Sequence, residues 1–133
     1  MSEADTARAP SLDDLAALAE AAFTAMPDHF RRLTGEVVFR VQDFAPDDIL
    51  QDLGIEDPFE LTGLYQGVDL QHRSVLGPDP EPSMVFLYRR PILDEWAERG
   101  DIGLAELVTH VLVHEIGHHF GLSDDAIARI EAE

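Results

Sequence analysis

The sequence predicts an α+β fold, a small mixed sheet with helices packed on it, and three observations carry that expectation. Two short runs rich in β-branched and aromatic residues, at 37–41 and 84–89, have the composition of strands. Apolar residues recur at helical spacing in separate blocks toward both ends of the chain, with the longest block near the carboxyl end. A length of 133 residues with 45% hydrophobic content suffices for one core and leaves too little room for two. Residues 11–133 are therefore expected to form a single domain behind a flexible segment, 1–10.

Each element has its own signal. Ser11 followed by Asp14 is a helix N-terminal signature, and Leu12, Leu15, Leu18, Ala19, Ala22, Phe23 and Met26 then recur at helical spacing until Pro27 marks the stop. Gly35 precedes the first strand, Val37, Val38, Phe39, Arg40 and Val41. Pro46 near a start and Gly54 at an end suit one short helix, which Pro58 keeps from extending. Between Leu61 and Val68, Gly63 and Gly67 flank Tyr65, the pattern of a short strand or ribbon with tight backbone contacts. A proline-rich loop at 77–82 leads into the second clear strand, from Met84 to Arg89. From Pro91 a helix carries Ile92, Leu93 and Trp96 until Gly100 closes it. The longest helix is expected from Gly103 to Phe120, and a final one from 123 to 133 with Ser123 as its cap. No internal repeat and no dividing linker is visible.

The composition removes whole classes of chemistry. Nine basic residues against 27 acidic ones give a formal net charge of -18. A chain so acidic repels phosphate backbones and anionic lipid surfaces, so neither nucleic acid nor membrane is an expected partner. All nine basic residues are Arg, and without Lys there is no Schiff-base or phosphate-loop lysine chemistry. Cysteine is also absent, so there are no disulfides, no thiol nucleophile and no sulfur-ligated metal site, and any metal must use His and carboxylate. Asn is missing along with Lys, a pairing that coding bias alone also produces. Acids occupy the first residues where a secretory signal needs a basic start. Glu20, and Glu106 with the histidines, interrupt the most apolar stretches, so a cytoplasmic monomer or weak homo-oligomer is expected.

One constellation carries chemistry. Within the longest helix lies His114-Glu115-Ile116-Gly117-His118, followed by Gly121 and Asp124. At about 3.6 residues per turn, His114 and His118 stack on one face, so both imidazoles reach one ion. Glu115, beside the first histidine, holds a water without occupying the metal, as the general base of H-E-x-x-H hydrolases must. Gly121 lets the chain leave the helix and bring Asp124 back toward the histidines as a third ligand, which leaves a fourth position open, as in a catalytic zinc site. Asp124 and Asp125 also suit the first turn of the last helix, where acids stabilise by about 0.3–1 kcal/mol. Asp125 lies one residue beyond the ligand spacing. Chance yields a bare H-E-x-x-H in a chain of this composition roughly one time in fifty, and the added Gly and Asp lower that to the order of one in several thousand.

His114-Glu115-x-x-His118-x-x-Gly121-x-x-Asp124 resembles the extended zincin pattern whose third ligand is Asp, and the chain looks like the bacterial minimal zincins, short zincin-like metallopeptidases. The resemblance extends upstream to Leu61-Thr-Gly-Leu-Tyr-Gln-Gly67 and Phe86-Leu-Tyr-Arg-Arg-Pro-Ile-Leu93, covering roughly residues 12–133. It implies a zincin-like fold with its metal site on the long C-terminal helix, one Zn2+ per chain on His114, His118 and Asp124, and Glu115 as catalytic base. It also implies a small sheet whose edge strand holds an extended peptide beside the metal.

The expected function is therefore zinc-dependent hydrolysis of a peptide or protein substrate by a zinc-activated water. The net charge would steer cationic or neutral peptides toward it. The alternative is a catalytically weak or silent zinc-binding module acting through protein–protein interaction, and a third reading is an acidic mimic of nucleic acid. Candidates for stabilising the oxyanion are Tyr65, Tyr88 and the Arg89-Arg90 pair, which equally suit core-edge aromatics and solvated charges. His110, one turn before His114, suits a supporting or substrate-side group as well as a plain surface histidine. His119, one turn after Glu115, either orients that carboxylate, meets the loop of Asp124 or is structural. His29 and His72 have no motif around them and read as surface residues.

Overall fold

A computed structural model describes residues 9–66 and 83–132, without the side chains of His29, Leu33, Asp124, Ile130, Glu131 and Ala132. The expectations for residues 1–8, Gly67, Val68, His72, the loop 77–82 and Glu133 lie outside the described residues. Among these, six α-helices surround a three-stranded mixed sheet.

Helix α1, Leu12–Thr24, opens on a complete capping box, in which Ser11 Oγ accepts from the Asp14 amide at 3.1 Å and the Asp14 carboxylate accepts from the Ser11 amide at 2.8 Å. Pro27 ends this run and also starts a helix the sequence reading missed, α2, Asp28–Thr34. Its heptapeptide is too short to show a clear apolar period; Phe30 plugs it into the core with Thr34 also fully buried, and tertiary burial repays so short a helix. Strand β1, Val37–Gln42, leads to α3, Asp47–Leu53, which starts after Pro46 and stops on left-handed Gly54. Pro58 blocks extension as expected and nucleates a single 3₁₀ turn, Pro58–Glu60, capped by the Asp57 carboxylate.

Strand β2, Gly63–Gln66, and strand β3, Ser83–Tyr88, follow. β3 lies in the middle, parallel to β1 and antiparallel to β2. It runs directly into α4, Arg89–Arg99, which begins two residues before the expected Pro91. Proline is tolerated in a first turn, where its missing N–H has no intrahelical partner to lose. The Trp96 indole donates to the Ile102 carbonyl at 3.0 Å, tying α4 to the start of α5, Leu104–His119. The last helix is α6, Asp124–Ala132.

Strand alternation gives the sheet two faces. Val37, Phe39, Val41, Tyr65, Val85 and Leu87 form the inner face, against which α1 and α5 pack. Leu64, Phe86 and Tyr88 form the outer face with Ala45 and with Ile49 and Leu50 of α3. At Gly63 a Cβ would come 2.9 Å from Val111 Cγ1, so glycine lets the edge strand lie this close to α5. The tight backbone contacts expected around Tyr65 are thereby realised at Gly63. No helix among the described residues is long and apolar enough to cross a membrane.

Candidate active site

Helix α5 presents His110, His114 and His118 as a ladder four residues apart, while Leu107, Val108, Val111, Leu112 and Ile116 are buried in the core. The ring centroids of His114 and His118 are 5.4 Å apart with planes at 82°. Two imidazoles that each reach a zinc ion at about 2.0–2.1 Å and a tetrahedral angle have centroids roughly 5 Å apart, so this pair fits one ion. His110 and His114 stand closer, at 4.1 Å and 49°. That is stacking distance, and it packs the His110 ring on the first candidate ligand.

Glu115, one residue and about 100° round the helix from His114, is half-buried. Burial pushes its carboxyl above the usual carboxylate range, and the neighbouring His118 imidazole pulls part of the way back. Tyr88, only 1% exposed, lies within the field of Glu115. Burial first and the Glu115 charge second push its phenol upward, so the hydroxyl stays protonated and remains a donor.

The chain leaves α5 through a Schellman turn. The Leu122 amide donates to the Gly117 carbonyl at 2.9 Å and the Gly121 amide to the His118 carbonyl at 3.0 Å, with Gly121 at φ 76°. Ser123 then caps α6, its Oγ accepting from the Ala126 amide at 3.1 Å, as expected of it. Helix α6 folds back because Gly117 has no side chain: a Cβ there would lie 2.8 Å from Ile127 Cγ1. Ile127, fully buried, fills the space instead. The backbone of Asp124 is thus set in the first residue of α6, while its side chain lies outside the described ones. Among the described residues no group of three His, Asp or Glu side chains converges as a metal site. Two of the three expected ligands are brought together, and the third is placed by its backbone alone.

The remaining candidates are distributed differently. The Tyr65 hydroxyl donates inward to Ser83 Oγ at 2.8 Å, and Ser83 donates on to the Thr34 carbonyl at 3.3 Å. That relay engages the Tyr65 phenol with Ser83 and, through it, with the Thr34 carbonyl. The Tyr65 ring packs edge-on against His119 at 4.4 Å and lies 5.7 Å from Phe120. His119, itself exposed, therefore braces the end of α5 against the edge strand. Arg89 donates to the Pro10 carbonyl at 2.6 Å and to Asp43 at 3.1 Å, which ties down the end of the segment expected to be flexible. Arg90 lies over the Phe44 ring at 5.8 Å. Both arginines thus have partners of their own, and Tyr88 is the expected donor whose phenol feels the Glu115 charge. Sequence reasoning had no spacing that joined Tyr88 to Glu115 or Tyr65 to Ser83, because both pairings cross from strand to a distant element.

A family model described as zincin-like metallopeptidase matches residues 34–133. No curated protein matches the chain.

Proposed function

The chain belongs to the zincin-like metallopeptidase family, and on that premise we propose that it hydrolyses peptide bonds with zinc held by His114, His118 and Asp124 and with Glu115 as general base. The observation that carries this reading is the His114–His118 pair at 5.4 Å, a separation suited to one shared ion, with the half-buried Glu115 between them in sequence. The donor set, two imidazoles and a carboxylate, suits zinc in a protein without cysteine. Bound zinc supplies Lewis acidity to the scissile carbonyl and to the attacking water.

The chain's own residues do the rest. Glu115 takes a proton from the attacking water as the new carbon–oxygen bond forms. It then delivers that proton to the amide nitrogen as the carbon–nitrogen bond breaks, and the second proton of the former water passes to the released amine, leaving a carboxylate and an ammonium group. Tyr88, kept protonated by burial and by the Glu115 charge, adds no second negative charge to the field of the general base. His110, stacked on His114, restricts the ring rotations open to that ligand. The edge strand β2, paired only to β3 among the described residues, supplies backbone groups to which an extended peptide can add as a further strand.

Elemental analysis of the purified chain and of His118→Ala tests the site. About one equivalent of zinc in the parent and its loss in the variant is the expected result. Peptide turnover by the parent, abolished in Glu115→Gln with zinc retained, separates a peptidase from a silent zinc-binding module; unchanged cellular function of Glu115→Gln would sink the catalytic reading.

A further inference from the structure

Helix α6 carries the third expected ligand in its first residue, and among the described residues it packs chiefly on α5. Of its described side chains Ile127 is buried and Ala126 half-buried, whereas Asp125, Ala128 and Arg129 are exposed, so one apolar knob seats the helix. The socket is Gly117, where a Cβ would lie 2.8 Å from Ile127 Cγ1 and 2.9 Å from Ile127 Cδ1, closer than side chains pack. We propose that Gly117 and Ile127 are positioning residues for the zinc: their contact sets the distance between the first turn of α6 and the histidine ladder, and with it the affinity of the site for its metal. The proposal rests on the reading of Asp124 as third ligand.

Three features support it. The first is placement on α5. Gly117 lies about 60° round the helix from His114 and about 100° from His118, so the surface on which α6 rests borders the face that carries both imidazoles. The second is spacing on α6. Positions 124 and 127 are an i, i+3 pair, which shares one side of a helix, so the knob sits one turn beyond the backbone that bears the ligand. The third is the stiffness of the link between them. The Leu122 amide bonds to the Gly117 carbonyl at 2.9 Å, the Gly121 amide to the His118 carbonyl at 3.0 Å and the Ile127 amide to the Ser123 carbonyl at 3.0 Å, so the turn itself has little freedom to absorb a shift. Ile127 has no exposure, and its branched side chain is confined to one preferred rotamer in a helix, so it cannot swing aside. Ordinary contact begins at 3.4 Å, and a methyl group at 117 therefore moves Ile127 outward by about 0.6 Å, taking the first turn of α6 with it. Metal–ligand distances are held within roughly 0.2 Å, so the displacement is large enough to be felt at the ion.

The test uses the full chain and three readouts: zinc affinity by competition with a chromophoric chelator, the visible absorption of the Co2+-loaded protein, and urea unfolding of the metal-free form. Under conditions where every metal-free variant is folded, Gly117→Ala is expected to lower zinc affinity by about 10–100-fold and to change the Co2+ spectrum. Ile127→Ala removes the knob and should weaken zinc as well. Gly117→Ala combined with Ile127→Ala puts a methyl group into the vacated space and should recover the parent's affinity to within about threefold. Leu15→Ala in α1, destabilising but remote from α6, is the control and should leave affinity and spectrum unchanged. If Gly117→Ala does not fold, Ile127→Ala set against the double variant makes the same comparison. Folded single variants with parental affinity, a double variant that recovers nothing, or an equal loss in Leu15→Ala each overturn the proposal, and weakened zinc binding in Asp124→Ala then leaves the ligand reading standing. An Asp124→Ala that binds zinc as tightly as the parent overturns both.

Discussion

The two faces of the sheet are finished in opposite ways. On the inner face α1 and α5 press against β1 and β2 so closely that Val85, Leu87, Val108 and Leu112 have no exposure, and Gly63 lies against Val111 without room for a methyl group. On the outer face, among the described residues, the short helix α3 packs on the strands with Ile55 and Leu61, Leu64 and Phe86 stay half-buried, and a cavity of about 220 Å³ remains. Helix α5, held by that close packing, carries on its less buried side the histidine ladder and Glu115, groups that need fixed geometry. Dense packing resists displacement of a few tenths of an ångström, which is what ligand positioning requires.

Substitutions break or sharpen that contrast. The largest expected effect is chemical: Glu115→Gln lowers kcat by about 10²–10⁴-fold with zinc content and melting behaviour retained, measured by peptide turnover beside elemental analysis. Next comes the core of the inner face, where Leu112→Ala costs about 2–5 kcal/mol in urea unfolding. The same truncation at half-buried Leu64 on the outer face costs about 1–2 kcal/mol; equal losses at the two sites would erase the distinction between the faces. Gly117→Ala forces α6 away from α5 and costs about 1–3 kcal/mol. Because the clash is with Ile127, that cost should vanish in an Ile127→Ala background, and a double-mutant cycle measures it. The smallest effect is on the solvated surface: Arg99→Ala removes an exposed ion pair with Glu95 and shifts the unfolding free energy by less than about 0.5 kcal/mol.

What was legible in the sequence was local. Caps at Ser11 and Ser123, the strands around Val37 and Met84, the end of α3 at Gly54 and the long helix under His114 and His118 all follow from neighbours within a turn or a pleat. The elements that escaped, α2 and the turn Pro58–Glu60, are too short to show a period of their own. The side chains around the site divide the same way. The stacking of His110 on His114 repeats at one helical turn and is implicit in the spacing. The inward hydrogen bond of Tyr65, the ion pair of Arg89 with Asp43 and the electrostatic influence of Glu115 on Tyr88 join residues 18, 46 and 27 positions apart.

By itself the sequence determined the chemistry that is available: hard ligands only, a general base beside the first of two histidines on one helix face, and an acidic surface of net charge -18 around them. Helix geometry repeats every few residues, so such a motif can be read before anything is folded. The tertiary structure alone decided that β3 lies between β1 and β2, that Tyr65 turns inward to Ser83 while buried Tyr88 feels the Glu115 charge, and that one sheet face closes while the other keeps a cavity. Those outcomes depend on which distant segments bury each other, and the free energy of that burial belongs to the assembled core, not to any local stretch of the chain.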